Sequence, residues 1–213
     1  MKQMNTEQLA FLAHFMRKNQ FVKKLILSCC LAICIIIPLV FFIYSVNETN
    51  GFGKDLLGAE RYNDRMKDSY LYAAVMFIAL LVVIFPFALL LHQFFNRYHI
   101  ILNSLEAKDV DRLKALTAKV GMMEKYNPSC IFKKNTVTFF TLFKAHTVSF
   151  FDINRINITR ASYKGISYVI AIETVSGTLN YRFGDLMLTR SLIDEACLAN
   201  PRIATNSYNS WNF

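Results

Sequence analysis

Two long runs without a charged side chain constrain this chain more than anything else in it. They are LILSCCLAICIIIPLVFFIYSV at residues 25–46 and YLYAAVMFIALLVVIFPFALLLHQFF at residues 70–95. About 20 apolar residues in a helix cover a hydrocarbon core roughly 30 Å thick, and both runs reach that length. Soluble core helices rarely go so far without a charge. The composition agrees, since charged residues make up 18% and hydrophobic ones 54% of the 213, whereas a soluble domain has about 25% charged. Nineteen Phe beside seven Gly and four Pro exclude a disordered or collagenous chain. Three of the five Cys lie inside the first apolar run, which argues against a secreted disulfide scaffold. The first run also exceeds the roughly 7–15 residues of a signal-peptide core. It leads into Tyr44-Ser45-Val46-Asn47-Glu48, a poor cleavage context, so a retained anchor is expected.

Charge sets the expected orientation. Residues 1–24 carry Lys2, Arg17, Lys18, Lys23 and Lys24 against Glu7 alone. Residues 47–69 hold four basic and five acidic side chains, and residues 97–213 hold fifteen and nine. An excess of Lys and Arg marks the cytoplasmic side. The expectation is a transmembrane hairpin with both termini in the cytoplasm and the 47–69 segment as an extracytoplasmic loop. Cys29, Cys30 and Cys34 suit packing of small residues between helices, with acylation as the alternative. Pro38 and Pro86 are expected to kink the helices for packing, because no ionisable residue lies deep in either span. His92 falls near the cytoplasmic end of the second.

The N-terminal arm, 1–24, places Leu9, Leu12, Phe15 and Met16 at helical spacing, with Arg17, Lys18, Lys23 and Lys24 on the polar side. This fits an amphipathic helix on an anionic leaflet, and equally the ordinary basic flank of a first span. In the connector, 96–128, Arg97-Tyr98-His99 forms an interfacial anchor. Leu105, Val110, Leu113, Leu116 and Val120 then mark an amphipathic helix that Gly121 and Asn127-Pro128 end. That helix would pair with its own copy or pack on the domain after it.

From Ser129 the hydrophobic period changes to two. The runs 129–134, 136–144, 147–152, 153–161, 165–174 and 178–183 read as short antiparallel strands, each with one buried face. Ala145-His146, Tyr163-Lys164-Gly165 and Ser176-Gly177 are the expected breaks. Asp185 is a candidate N-cap for a helix with Leu188, Leu192 and Ala196 on one stripe, stopped by Asn200-Pro201. The whole reads as an α+β membrane protein: a two-helix hairpin, then an antiparallel sheet or partial barrel over 129–200 closed by a C-terminal helix. Residues 201–213 are expected to be a flexible tail.

The run FFDINRINITRASYKGISYVIAIETVSGTLNYRF, followed by the helix from Asp185, resembles the bacterial pleckstrin-homology-like domains, in particular the YcxB-like proteins that tether such a domain to a pair of membrane helices. The resemblance covers nearly the whole chain. It implies a membrane-associated interaction module without shared catalytic residues, and fold alone gives no function.

Phosphate-binding glycine loops, Cys-x-x-Cys, His-Glu-x-x-His and Gly-x-Ser-x-Gly are all missing from the sequence. The four His are scattered. Cys130 and Cys197 read as buried small hydrophobes, a Cys130–His146 pair being the one catalytic alternative. Asp194 and Glu195 point to different sides of a helix. No enzyme, cofactor or metal is therefore expected. The sequons at Asn47 and Asn157 fall beside the membrane and in the cytoplasm.

Lys133, Lys134, Lys144, Arg155, Arg160, Lys164 and Arg182 sit in or beside the strands. On one rim they would meet anionic headgroups or a partner; otherwise they form a positive, soluble surface. No recognition helix or stacking motif suggests nucleic acid. The expected setting is the bacterial inner membrane, with the bilayer and a protein partner or a second copy as binding partners. In the alternative, the hairpin itself acts on a toxin, pore or transporter, as in an immunity protein or accessory subunit.

Overall fold

The computed structural model describes residues 4–161 and 167–205. Two long helices open the chain, α1 (Thr6–Leu57) and α2 (Ala59–Asn103). Both contain one of the apolar runs and are long and apolar enough to cross a membrane. Pro38 and Pro86 sit inside them. Within α1 the backbone leaves the helical region only at Gly53 (φ 73°), and Gly58 (φ 76°) makes the turn into α2. A side chain at either position would be strained, so glycine is what permits the reversal.

The 47–69 segment is therefore helical on both sides of Gly58 rather than an irregular loop. Its Glu, Lys, Arg and Ala residues are good helix formers. The arm likewise runs into α1 without a break. The expected connector helix is in fact three pieces. α2 continues to Asn103, α3 spans Ala107–Lys119, and a short α4 spans Met122–Tyr126. A capping box starts α3, in which Glu106 and Asp109 exchange side-chain and backbone bonds.

The β region comprises β1 (Cys130–Lys133), β2 (Thr136–Phe140), β3 (Ala145–Ser149), a 3-10 turn (Phe150–Asp152), β4 (Ile153–Ala161), β5 (Ser167–Thr174) and β6 (Gly177–Phe183). Helix α5 (Leu186–Ala199) and β7 (Ala204–Thr205) follow. Two sheets form, ordered β1-β2-β3 and β6-β5-β4-β7, antiparallel except for the β4–β7 pair. The chain reverses at 141–144, so Ala145 and His146 belong to β3. The tail is likewise not free from residue 201, because β7 pairs with β4 and Ile203 is buried. The expected turn at Tyr163-Lys164-Gly165 lies outside the described residues.

The molecule is α+β and divides into two compact units. One contains residues up to Asn19 together with those from Phe94 onward; the other is Gln20–Gln93. In the first unit a single core joins both sheets to α5, through residues such as Phe139, Ile156, Ile170, Phe183, Leu188 and Leu192. The expected alternation holds in β5 and β6, where Tyr168, Ile170, Ile172 and Phe183 are buried while Thr178, Asn180 and Arg182 are exposed.

β1 and β2 depart from that pattern and are buried on both faces. Ile131 and Phe140 enter a second cluster with Leu12, Phe15, Tyr98, Leu102, Leu105, Val110 and Leu113. Of the arm's apolar stripe, Leu12 and Phe15 thus pack on protein and Met16 does so in part, while Leu9 stays exposed. Gln8 donates to Asp111 (2.9 Å), and Lys114 pairs with Glu7 (2.5 Å). The apolar seam of α3 is covered from within the same chain, with Val110, Leu113 and Leu116 all buried.

In the second unit the two helices meet through Ser45–Ser69 (2.7 Å), Tyr62–Asn50 (2.7 Å) and the Phe42–Tyr70 ring pair (4.7 Å). Cys34 is buried and Cys29 exposed.

Candidate functional site

The six basic residues from the sequence reading that lie among the described residues fall in different places. Lys133 and Lys134 lie together at the β1–β2 turn, where each is tied to the α2–α3 region. Lys133 Nζ donates to Ser104 Oγ (2.7 Å), and the Lys134 amide donates to the buried Asp109 carboxylate (2.9 Å). Arg112 donates to the Lys134 carbonyl (3.1 Å) and pairs with Glu195 of α5 (3.4 Å). Asp109 and Arg112 thus fasten α3 to the sheet, a role the sequence reading missed. The Glu106/Asp109 spacing of a capping box was the available signal.

Arg155 and Arg182 share the outer face of the four-stranded sheet but stand in different rows. The register aligns Arg155 with Glu173 and Thr178, and Arg182 with Val169 and Thr159. Those rows are four residues apart along β5, about 13 Å. Arg182 Nε also donates to Ser167 Oγ (2.8 Å). Arg160 is exposed near the end of β4 opposite Tyr168. Lys164 lies outside the described residues.

Lys144 closes the β2–β3 turn and is exposed. The Thr141 amide and hydroxyl both donate to the Lys144 carbonyl (2.9 and 2.8 Å), and the Lys144 amide donates back to Thr141 Oγ1 (3.2 Å). Leu142 and Phe143 form the tip. Arg97 of α2 donates to the Phe143 carbonyl, and Phe140, just before the turn, packs on Tyr98 at 4.5 Å and Phe94 at 6.3 Å.

A groove of about 330 Å³ between α3 and α5 is lined by Asp111, Arg112, Lys119, Phe132, Asp194 and Glu195. Its charges are mixed, and the Arg112–Glu195 pair crosses it. Among the described residues no cluster of His, Cys, Asp and Glu could hold a metal ion.

The Cys130–His146 pair is not assembled. Both residues are register partners of Phe139, one on each side, and two strand spacings separate them by about 9–10 Å. Burial pushes the Cys130 thiol well up, and the carboxylate of Glu124 adds to the shift. Burial, with Asp194 nearby, also raises the Cys197 thiol. Protonated thiols are weak nucleophiles.

Compared with family models, curated proteins and solved structures, the chain finds no match in any of the three.

Proposed function

We propose that this chain is a non-enzymatic integral protein of a bacterial inner membrane, whose cytoplasmic pleckstrin-homology-like domain binds a protein partner. In this reading α1 and α2 cross the bilayer as a hairpin with both termini in the cytoplasm. The observation that carries it is the exposure of the apolar helices. Only 11% of the most apolar window of α1, and none of that of α2, is buried within the protein. Apolar surface on that scale needs a cover that water cannot supply, and a bilayer supplies it.

Two sheets and a C-terminal helix sharing one core support the pleckstrin-homology-like, partial-barrel assignment. The α3 seam and the Leu12 and Phe15 side chains of the arm are buried inside the chain, which favours the outer surfaces of the β domain as the place for a partner.

Crosslinking in intact cells, followed by purification in detergent, tests this. A stoichiometric partner held by the full chain and lost on truncation after Gly121 is the expected result. A partner retained by the truncated chain would instead move the function into the hairpin, as in an immunity protein or an accessory subunit. Recovery of no partner would contradict the protein-binding role.

A further inference from the structure

The β2–β3 turn combines a rigid frame, an exposed aromatic tip and a fixed position beside α2. Three hydrogen bonds between Thr141 and Lys144 hold the frame. Phe143 at the tip is 65% exposed, a wide apolar surface on a loop that has little left to order. The position comes from Phe140 against Phe94 and Tyr98, and from Arg97 on the Phe143 carbonyl. Resting on the membrane-spanning assignment proposed above, we propose that this turn is a lipid-contact site. Phe143 enters the headgroup layer of the cytoplasmic leaflet, and Lys144 meets the phosphates of anionic lipids.

The distances along α2 favour lipid as the occupant. The apolar run ends at Phe95, and at 1.5 Å per residue Arg97 lies only about 3 Å further along the helix axis. The headgroup layer is roughly 5–7 Å thick on each side of the core. A turn bonded to Arg97 is therefore held at the depth of that layer. Its chemistry suits the place: an aromatic ring at the headgroup level, with the exposed Lys144 ammonium beside it for anionic phosphates. Phe151 is similarly exposed (61%) but lies on the 3-10 turn that follows β3, so it serves as an internal comparison.

Tryptophan depth measurements test the proposal on the full chain. Trp211 is the only tryptophan, so Trp211→Phe gives a silent background. Phe143→Trp, Phe151→Trp and Phe85→Trp are then placed singly in that background, in nanodiscs of mixed phosphatidylcholine and phosphatidylglycerol. Bromine atoms near the carbonyl end of the acyl chains should quench Phe143→Trp and shift its emission to the blue, leaving Phe151→Trp unchanged. Phe85→Trp, inside the apolar run, should respond to bromine placed deeper. An unquenched Phe143→Trp beside a quenched Phe85→Trp would overturn the lipid contact and leave the spanning assignment standing. Equal quenching of Phe143→Trp and Phe151→Trp would overturn its restriction to this turn. If Phe85→Trp is not quenched either, the spanning assignment itself fails.

Discussion

The hydroxyl of Tyr98 has no hydrogen-bond partner among the described residues, although the side chain is fully buried. The ring is well placed, against Phe140 at 4.5 Å, so the oxygen alone is costly. A buried unpaired hydroxyl costs about 1–3 kcal/mol. Tyr98→Phe should therefore raise stability by about 1 kcal/mol, read as a higher melting temperature of the full chain in mild detergent. A lower one would mean that the hydroxyl is held by a partner. Cys130 makes a related point about pH. Its thiol has a raised pKa in the folded state, mainly through burial, so the folded chain keeps a proton that the unfolded chain loses from about pH 8.5. Stability from this group is complete below that pH and declines as pH rises toward the folded-state value. Cys130→Ala should flatten the alkaline decline in melting temperature, even if it lowers the plateau. An unchanged slope would show that the thiol is not the titrating group. The sequence revealed that Cys130 is buried, but not that Glu124 is near, because that contact depends on how α4 meets β1.

At the scale of elements, Asp185 is the junction on which α5 depends. Its carboxylate accepts from the amides of Met187 (2.7 Å) and Leu188 (3.2 Å) and also from Gly121 (2.6 Å), joining the α3–α4 corner to the start of α5. A side chain on Gly121 would bring its Cβ to 3.1 Å from the same carboxylate. Asp185→Ala leaves three amides without this acceptor and should cost about 2 kcal/mol, measured by chemical denaturation in detergent. Asp185→Asn, which keeps an oxygen, should cost less; equal losses would refute the capping role. The N-cap was legible locally, as a polar residue before an apolar stripe. The Gly121 contact was not, since it spans 64 residues. The same divide explains the other differences. Thr141-Leu142-Phe143-Lys144 has no Gly, Pro or Asn, so nothing in its composition marks a turn. β7 is two residues long and has no period to read. β1 and β2 look half-buried in sequence, yet the second apolar cluster covers their other face.

For the whole molecule, the two apolar helices were legible because each contains a long run without a charged side chain, and the β-rich segment with its final helix because each carries a sustained hydrophobic period. What the arm does was not, because an amphipathic stripe suits lipid and protein alike. Within the first unit Leu12 and Phe15 pack with Tyr98 and Leu102, while Leu9 of the same stripe stays exposed. The basic residues were easy to find in sequence, but strand register decides which of them stand together. Among the six that lie in the described residues, Lys133 and Lys134 stand together at the β1–β2 turn, whereas Arg155 and Arg182 stand in separate rows of the other sheet. The central claim is the hairpin topology, and an impermeant maleimide tests it most directly in intact cells that express the protein. The parent chain should stay unlabelled, since its five cysteines fall in the first apolar run or in the β domain. Asn63→Cys should label from outside, and Ser176→Cys only after permeabilisation. Labelling of Ser176→Cys in intact cells, or of Asn63→Cys only after permeabilisation, would contradict the account.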